Sequence, residues 1–371
     1  MKIIFVAPRF HTNQYEIVKT LKSKGFDVEF HVNYLGHTED YSILTPILYS
    51  PCKISTWLEK VFGGGGDRPK LFPNPITYFH ELSKSRSDII IIRNPNRYFS
   101  IIAAICARLL RIKIVFYTQT EASKRHSFIK KIKAYLLISI FDAAWYSPLR
   151  SEHKGNEDFL KYIYYVPFAV PQGKIIRSDN TKSQISLLMI GKYEERKNHI
   201  LFVKALHFLK DKYNLQATIV GECISEKQIK VFKKVKSEIH KTGIENIISL
   251  EKNVPFSRMQ DLYQSHDIYI LPSRDEPAAI SILEAMAHGV PSICSDTCGT
   301  KSYIKPGKNG EIFKTDSLSD LTNKIELLIK NPKHLTSMRN YCLSSYEDQY
   351  SGKAYYKHFS YLLEDKWKLK I

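Results

Sequence analysis

The chain has 371 residues, of which 43% are hydrophobic, 12% aromatic and 25% charged. This composition is ordinary for globular proteins and excludes a disordered chain, a collagen-like fibre and a small disulfide scaffold. Fifty-five lysines and arginines against 37 acidic residues leave a net charge of +18. That surplus indicates an anionic partner, which can be nucleic acid, nucleotide phosphate or an anionic membrane face.

The first half of the chain alternates short β-branched segments with longer stretches of helical period, as in parallel sheets built from βαβ units. Its apolar start, Ile3–Pro8, is too short for a signal peptide and is predicted to form the first strand. Helices are predicted at Tyr15–Lys24 and Ser100–Leu110. The predicted strands of this half are Ile3–Ala7, Val28–Val32, Ile89–Arg93, Ile112–Tyr117 and Ala143–Ser147.

A polar joint at Val166–Ser183 leads into a second half of the same pattern. Its predicted strands are Ser186–Ile190, Ala217–Gly221, Ile247–Leu250, Asp267–Leu271 and Pro291–Ser295. Its predicted helices are Asn198–Lys212, Glu226–Lys241, Pro277–His288 and Leu318–Lys330. The segment from Lys333 onward is mostly helical and has no strand left to pair. The sequence therefore predicts an α/β fold of two doubly wound domains.

Three further features narrow the class of protein. The six cysteines form no C-x-x-C pair, so we expect no zinc site and a reducing cytoplasmic environment. The longest apolar segment, Ala134–Ala144, is far shorter than the ~20 residues of a membrane-spanning helix. Four glycines open the segment Gly63–Pro75, but no Lys-Ser/Thr follows them, so a mobile loop is favoured over a phosphate-binding loop.

One candidate site lies in LPSRDEPAAISILEAMAHGVPSICSD, residues 271–296. A helix is predicted to begin near Pro277, with Glu276 at its mouth and Glu284 two turns further on the same side. Ala278 and Ala279 leave the first-turn N–H groups open to a ligand. Two carboxylates at such a terminus suit a sugar and a ribose. The alternative is a helix-dipole charge at Glu276 and a solvated Glu284.

A second candidate site is the turn GKYEERKN, which follows the strand ending at Ile190. Gly191 permits a tight turn, and Lys192 and Lys197 flank the start of the next predicted helix. Two ammonium groups and a helix N-terminus can hold a diphosphate without a metal ion, and Arg196 suits the same task. The alternative is a basic turn solvated by water.

Both segments resemble the retaining glycosyltransferases of family 4, the group 1 glycosyltransferases with a GT-B fold. The resemblance spans Leu187 to about Phe313. Three further segments carry it in the family's order, namely ATIVGE, VPFSRMQDLYQSHDIYILPS and PGKNGEIF.

The resemblance implies two Rossmann-like domains that face each other across a cleft. It implies an acceptor-binding domain at residues 1–170 and a domain for a UDP- or GDP-sugar donor at residues 171–350. Residues 351–371 are expected to form a C-terminal helix that packs back on the first domain. No cofactor and no metal ion are expected, and the nucleotide-sugar is a substrate.

The same resemblance implies roles for individual residues. Lys192 and Lys197 are expected to grip the donor diphosphate, Glu284 to bind the ribose and Glu276 to lie beside the donor sugar. Lys192, Lys197 and Glu276 are therefore the expected catalytic residues. The other expected donor-binding residues are Gly191, Arg196, Val254 near the base, and Ala278, Ala279, Ile280 and Ser281 near the sugar hydroxyls.

The chain departs from the family pattern at several positions. Residues 276–279 read Glu-Pro-Ala-Ala where many members have Glu-Gly-Phe-Gly, and the proline removes one N–H donor. Lys192 replaces a frequent arginine. Gln119 stands in a segment where a histidine is frequent, and it cannot act as a general base. A front-face displacement, in which the acceptor attacks beside the leaving diphosphate, is therefore favoured over a covalent route through Glu276.

The first domain supplies candidate acceptor or cleft residues. His11 follows the first predicted strand, Arg93 and Arg97 bracket a loop after the third, and Gln119 follows the fourth. A negatively charged acceptor or the donor phosphate would suit the arginines. Ordinary solvated loop residues are the alternative.

Positive charge is concentrated in residues 101–150, which hold nine lysines and arginines against two acidic residues. Within them, basic residues adjoin an apolar stripe; they are Lys124, Arg125, Lys130, Lys131 and Lys133. This pattern suits an interfacial helix on an anionic membrane surface, and a stripe packed on the sheet with solvated lysines is the alternative. Nucleic acid is not expected as a partner, because no recognised nucleic-acid-binding motif occurs.

Two classes of function remain. One is a cytoplasmic transferase, peripheral on the inner face of the membrane, that adds a sugar to a glycan or lipid-linked acceptor of a surface polysaccharide such as capsule, lipopolysaccharide or exopolysaccharide. The other is a non-catalytic nucleotide-sugar- or glycan-binding protein with the same fold.

Overall fold

The computed structural model describes residues 1–36, 39–62, 68–120, 128–150, 162–173, 184–255 and 258–371, with the backbone alone at 128–131. The chain divides into two compact units. The first comprises Met1–Ala169 and Gly352–Ile371, and the second comprises Val170–Ser351.

The first unit is built on a parallel sheet, flanked by helices that connect its strands. The strands are β1 (Lys2–Val6), β2 (Asp27–Val32), β3 (Ile47–Leu48), β4 (Ile89–Arg93), β5 (Lys113–Tyr117), β6 (Ala144–Ser147) and β7 (Ile163–Tyr165). The helices of its N-terminal segment are α1 (Thr12–Ser23), α2 (Lys53–Phe62), α3 (Pro75–Ser85), α4 (Tyr98–Leu109) and α5 (Phe128–Phe141). The strand order is β3-β2-β1-β4-β5-β6-β7.

The second unit repeats this architecture. Its strands are β8 (Ile185–Ile190), β9 (Leu215–Gly221), β10 (Ile248–Lys252), β11 (Ile268–Leu271), β12 (Ser292–Ser295) and β13 (Gly310–Phe313). Its helices are α6 (His199–Leu209), α7 (Glu226–Thr242), α8 (Met259–Ser265), α9 (Ile280–Ala287), α10 (Leu318–Ile329) and α11 (Pro332–Gln349). The strand order is β10-β9-β8-β11-β12-β13, again parallel throughout.

The central strands form because their β-branched side chains are buried on both faces of the sheets. In β4, Ile89 and Ile91 pack into one core of the first unit, while Ile90 and Ile92 pack into the core on the other face. Helix boundaries follow local chemistry. Ser225 and Gln228 form a capping box at the start of α7, and Gly243, at φ +60°, ends it.

The last helix, α12 (Gly352–Trp367), belongs to the first unit although it follows the second in the chain. It buries Tyr355, Phe359, Leu362 and Leu363 in the same core as β1 and α1. These side chains repeat at helical spacing along one face, so α12 covers that side of the first sheet.

The predicted fold class is confirmed, because both sheets are parallel and doubly wound. Every predicted strand is present within about two residues of its expected bounds. The sequence prediction missed the strands β3, β7 and β13 and the helices α2, α3 and α8. The expected loop at Gly63–Pro75 lies partly outside the described residues, and Pro75 is the first residue of α3.

One boundary bears directly on the candidate site. The helix expected to begin near Pro277 begins at Ile280 instead, with Ala279 as its N-cap. The carbonyl oxygen of Glu276 accepts a hydrogen bond from the N–H of Gly299 at 2.8 Å. That oxygen is therefore engaged outside the helix, and a helical turn starting at Pro277 does not form. The expectation that Glu276 and Glu284 share one helix is wrong.

Two absences hold for the described part of the chain. Within it, no helix combines the length and the apolarity needed to cross a bilayer. All six cysteines lie in that part, and each is a free thiol.

Candidate functional site

The second sheet reverses its winding between β8 and β11, which lie side by side. In doubly wound sheets, ligands bind beyond the carboxyl ends of the strands at this reversal point. The segments that follow β8 and β11 are the two segments that the sequence analysis selected. Strand order therefore brings together residues 191–198 and 272–279, which are more than seventy residues apart in sequence.

The segment after β8 turns sharply. Gly191 N–H continues the ladder to Val220, and a 3₁₀ turn at Glu195–Lys197 then leads into α6. A Cβ atom at Gly191 would lie 3.2 Å from Cδ of Lys197, so glycine leaves room for the aliphatic part of this lysine. Asn198, at φ +55°, makes the bend into α6.

Lys197 and Glu276 form a buried ion pair, which the more exposed Arg196 joins from one side. Lys197 Nζ lies 2.5 Å from Glu276 Oε2, and the Arg196 guanidinium contacts the same oxygen. The Lys197 and Glu276 side chains are only 10% and 8% exposed. Burial acts to raise the pKa of Glu276, but the Lys197 ammonium and the Arg196 guanidinium outweigh it and leave this pKa below its ordinary value. Glu276 is therefore ionised at neutral pH.

Lys192 belongs to a different ion pair. Its ammonium donates to Glu222 Oε1 at 2.8 Å, and the Gln228 amide donates to the same oxygen at 3.1 Å. Glu222 follows β9, the neighbour of β8. The two lysines expected to hold a diphosphate thus contact different carboxylates, in the segments that follow β9 and β11 respectively.

Glu284 lies in α9 and is hydrogen-bonded to a neighbouring helix. The Tyr263 hydroxyl of α8 donates to Glu284 Oε2 at 2.7 Å. Burial raises the pKa of Glu284, and this hydrogen bond offsets part of the rise. The His288 ring stacks on Tyr263 with ring centroids 5.2 Å apart, so α8 and the end of α9 hold this carboxyl in place.

The start of α9 lies beside the end of β8. The Tyr269 hydroxyl donates to the carbonyl of Ile190 at 3.1 Å and lies 2.7 Å from Ser281 Oγ. Ala278 and Ala279 precede the helix, and Ile280 is its first residue. The N–H groups of this first turn have no partner within an α-helix, which makes them donors for a ligand.

Asn253 shapes the turn that carries Val254, the residue expected near the base. Asn253 has φ +54°. Its side-chain amide makes two hydrogen bonds to the backbone of Cys223, accepting from the Cys223 N–H at 2.7 Å and donating to the Cys223 carbonyl at 3.1 Å. Val254 is thereby placed beyond the carboxyl end of β10, next to the segment that follows β9.

A polar tie joins the segments after β8, β11 and β13. Asp316 accepts from Arg274 Nε at 2.7 and 2.9 Å and from the Asn198 amide at 2.9 Å. Arg274 N–H also donates to the carbonyl of Arg196 at 2.7 Å. The sequence analysis missed Asp316, Arg274, Glu222 and Tyr263. Their contacts depend on strand order, and no local motif marks them.

In the first unit the reversal lies between β1 and β4. Arg93, buried at the end of β4, donates to Gln119 Oε1 at 3.0 Å, and the Gln119 amide donates to the Tyr117 hydroxyl at 2.9 Å. The structure thus brings Arg93 and Gln119 together. His11 and Arg97 occupy the N-cap positions of α1 and α4, beyond the carboxyl ends of β1 and β4.

The expectation of no metal ion stays a prediction. Among the residues that the structure describes, no group of three or more histidine, cysteine or acidic side chains is arranged to hold one.

The fold of this chain is that of the GT-B glycosyltransferases. Its backbone superposes on a glycosyltransferase from Rickettsia africae with a TM-score of 0.75 at 14% identity, covering 99% of this chain and 98% of the other. It also superposes on Anabaena HepE in complex with UDP and glucose, with a TM-score of 0.71 at 15% identity over 98% of this chain and 100% of that one.

Sequence comparison adds a likeness that lies within the second unit. Residues 173–343 match the family model of the group 1 glycosyl transferases. An uncharacterized glycosyltransferase from Haemophilus influenzae is 26% identical over 172 residues, which cover 44% of each chain. The matches span less than half the length of the curated relatives.

Proposed function

We propose that this chain is a retaining glycosyltransferase of family 4 that moves a sugar from a nucleotide-sugar to a glycan or lipid-linked acceptor during surface polysaccharide synthesis. The observation that carries the proposal is the ionic group of Lys197, Arg196 and Glu276 at the reversal point of the second sheet. Lys197 and Arg196 share one Glu276 oxygen, and Arg196 also pairs with Glu194. The ammonium and guanidinium groups thus lie beyond the carboxyl end of β8, where their N–H groups can pair with a diphosphate.

In this proposal the donor is a UDP- or GDP-sugar held by the second unit. Lys197, Arg196 and Lys192 neutralise the diphosphate, Glu284 accepts hydrogen bonds from the ribose, and Val254 lies against the base. Gly191 keeps the backbone close to the phosphates, and the residues that line the sugar are Ala278, Ala279, Ile280 and Ser281. Among the relatives, one is named as a lipopolysaccharide core mannosyltransferase of Rhizobium leguminosarum and another as a Campylobacter jejuni transferase acting on an undecaprenol diphosphate.

The reaction we propose is a front-face displacement. The acceptor oxygen bonds to the anomeric carbon on the side from which the diphosphate leaves, the carbon–oxygen bond to the phosphate breaks, and the acceptor proton passes to the leaving phosphate oxygen. Lys192, Lys197 and Arg196 stabilise the charge that develops on the diphosphate. Glu276 is ionised but shared by two cations, which weakens it as a nucleophile and favours an orienting role beside the sugar.

The first unit supplies the acceptor site in this scheme. Arg93 and Gln119 are hydrogen-bonded beyond the carboxyl ends of adjacent strands, and His11 and Arg97 begin the helices on either side of the reversal point. An acceptor that carries a phosphate or carboxylate would pair with Arg93.

Transfer is tested with labelled UDP-, GDP- and ADP-sugars and with membrane extracts as the source of acceptor. We expect one donor to be consumed, without added metal and in the presence of a chelator, and the product to keep the donor's anomeric configuration by NMR. An inverted product, or activity that returns only with a divalent cation, would contradict the proposed reaction.

The second candidate is a binding protein without transfer activity. It is favoured by a single observation, the proline at position 277, which removes one N–H donor ahead of α9. A donor that binds with one-to-one stoichiometry but is never consumed with any extract would support this candidate over the enzyme.

A further inference from the structure

Helices α2 to α5 expose far more apolar surface than the rest of the chain. Of the side chains that the structure describes, the second unit exposes four large apolar ones, whereas these four helices of the first unit expose fourteen. Trp57 of α2 is 57% exposed, Leu109 of α4 is 68% exposed and Ile140 of α5 is 60% exposed. Contiguous exposure on this scale marks an interaction surface in proteins of ordinary composition.

The exposed residues of α4 and α5 form two neighbouring stripes. In α4 they are Tyr98, Ile101, Ile105 and Leu109, spaced so that they share one side of the helix, while the alanines of the opposite side pack on the sheet. In α5 they include Ile132, Leu136 and Ile140, again one turn apart. Arg108 Nε donates to the carbonyl of Ile140 at 3.3 Å, which joins the two helices.

Helix α2 extends the same surface. Of its ten residues only Ser55 is buried, and its Oγ donates to the carbonyl of Phe72 at 2.8 Å. The Phe72 ring lies 6.0 Å from that of Tyr98, at the start of α4. Trp57 and Phe62 stack edge to face on the exposed side of α2, with centroids 6.1 Å apart. We call the exposed apolar residues of α2, α4 and α5 the apolar face.

Exposed cations surround the apolar face. They are Lys53 and Lys60 on α2, Arg108 and Arg111 at the end of α4, and Lys133 on α5. Among the described side chains of α2 to α5, Glu81 is the one exposed acid, and it lies 3.3 Å from Lys84. The occupant of this face must therefore be apolar at its centre and anionic at its edge.

We propose that the apolar face docks on a lipid bilayer that contains anionic headgroups. Apolar and aromatic side chains enter the boundary between headgroups and acyl chains, and the surrounding lysines and arginines pair with lipid phosphates. A second copy of the chain fits less well, because its own cations would face these cations. The sequence pattern at residues 124–133 suited an interfacial helix on an anionic membrane surface. Lys124 and Arg125 lie outside the described residues, and so do the side chains of Lys130 and Lys131. The observation here is the wider face formed by α2, α4 and α5.

The docking proposal stands without the proposed transfer reaction, since vesicle binding is measured with neither donor nor acceptor present. If both hold, the face has a consequence for the acceptor. Tyr98 follows the loop after β4, so the face begins beside Arg93 and Arg97, where a lipid-linked acceptor would meet the first unit.

The test is co-sedimentation of the full chain with vesicles made of equal parts phosphatidylglycerol and phosphatidylcholine, and with phosphatidylcholine vesicles alone. We expect binding to the anionic vesicles that weakens as salt rises, together with a blue shift in tryptophan emission that is lost in W57E/F62E. The variants W57E/F62E and L109E/I140E should each bind these vesicles at least about tenfold more weakly than the wild type, because each would place two carboxylates in the lipid interface. Both pairs are exposed, so their substitution leaves the cores intact.

The matched control is F208E/L327E, which introduces the same two charges at exposed apolar positions of the second unit. It should bind as the wild type does. The proposal is overturned if the wild-type chain ignores anionic vesicles, or if the face variants bind as well as the control. It is also overturned if the chain sediments as a dimer that W57E/F62E separates while no vesicle binding occurs, since a second copy then covers the face.

Discussion

Glu276 illustrates how one residue can be required for both structure and chemistry. Its carbonyl oxygen is bonded to Gly299, and its carboxylate is shared by Lys197 and Arg196. The carboxylate keeps the buried Lys197 and the more exposed Arg196 in place, and those cations are the groups that a diphosphate needs. Removing Lys197 alone should therefore lower both stability and sugar transfer. Removing Lys197 and the Glu276 charge together should restore stability but not transfer.

The first prediction concerns Lys197→Met. Removing one partner leaves Glu276 buried with Arg196 alone, so the free energy of unfolding should fall by up to about 3 kcal/mol in chemical denaturation. Adding Glu276→Gln should restore much of that stability, because the uncompensated charge disappears. Sugar transfer should fall by roughly 10²-fold or more in both variants. Lys204→Met, at an exposed lysine of α6, is the control and should change neither quantity appreciably.

The second prediction uses the raised pKa of Glu284. Ribose hydroxyls donate to a carboxylate but not to both oxygens of a carboxylic acid, so the ionised form is the one that binds. Burial raises this pKa, and therefore nucleotide affinity should fall on acidification at a higher pH than an ordinary glutamate would give, and should recover as the pH rises.

Calorimetry with UDP or GDP between pH 5 and 8 measures this effect. The phosphate titrates in the same range, so the informative quantity is the difference between variants. We call the extra fall in nucleotide affinity on acidification the acidic limb. Glu284→Gln should lose this limb. Tyr263→Phe removes the hydrogen bond that opposes the rise in the Glu284 pKa, so its limb should move to higher pH. A limb that moves to lower pH in Tyr263→Phe would contradict the assignment.

At the scale of elements, the sequence pattern predicted the strands and helices whose apolar side chains are buried at regular spacing. The central strands are runs of β-branched residues buried on both faces, and such runs are visible in the sequence. The strands β3 and β7 are edge strands of two and three residues, and their side chains are not fully buried. Helix α2 was missed although Ile54, Trp57, Val61 and Phe62 repeat at helical spacing. The pattern alone could not show that these side chains are exposed, because burial depends on what packs against the helix.

The candidate site was predictable in part for a similar reason. Gly191, Lys192, Lys197 and Glu276 lie in segments whose local pattern marks a turn after a strand. Their partners could not be predicted locally, because Glu222 and Asp316 reach them only through the order of the strands in the sheet. The predicted start of α9 at Pro277 was wrong because the Gly299 N–H donates a tertiary hydrogen bond to the Glu276 carbonyl.

The third prediction concerns the tie between the segments after β8, β11 and β13. Asp316→Asn removes the charge that holds Arg274 and Asn198, while asparagine tolerates the φ of +64° found at this position. The Arg196–Lys197 turn should then be held less firmly, and UDP or GDP affinity should fall about tenfold. Unfolding should change by less than about 1 kcal/mol, because the pair is half exposed.

Asp211→Ala, at an exposed aspartate beyond α6, is the control for Asp316→Asn. Affinity measured by calorimetry should be unchanged in this control. Equal affinity in Asp316→Asn and wild type would show that the tie does not position the turn. Equal losses of affinity and of unfolding free energy would indicate a structural role alone.

At the scale of the whole molecule, the two units share one chain but have separate cores. Residues 352–371 follow the second unit and complete the first, where Phe359 is fully buried. The second unit has an equally buried phenylalanine, Phe202 of α6. These two residues allow the cores to be perturbed independently.

The fourth prediction is that Phe359→Ala and Phe202→Ala weaken different units. Each truncation should lower stability by about 3–5 kcal/mol through lost burial and a residual cavity. Hydrogen exchange should show faster exchange of the β1 and β4 amides in Phe359→Ala, and of the β8 and β11 amides in Phe202→Ala. Acceleration of the β8 amides by Phe359→Ala to the same degree would mean that the units unfold as one.

The central claim is that the reversal point of the second sheet binds the diphosphate of a nucleotide-sugar. Isothermal titration of the full chain with UDP and with GDP tests it most directly. The account predicts one site per chain for one of these nucleotides, with affinity that falls about 100-fold in Lys197→Ala and is unchanged in Lys204→Ala. Absence of binding by either nucleotide, or equal affinity in Lys197→Ala and the wild type, would contradict it.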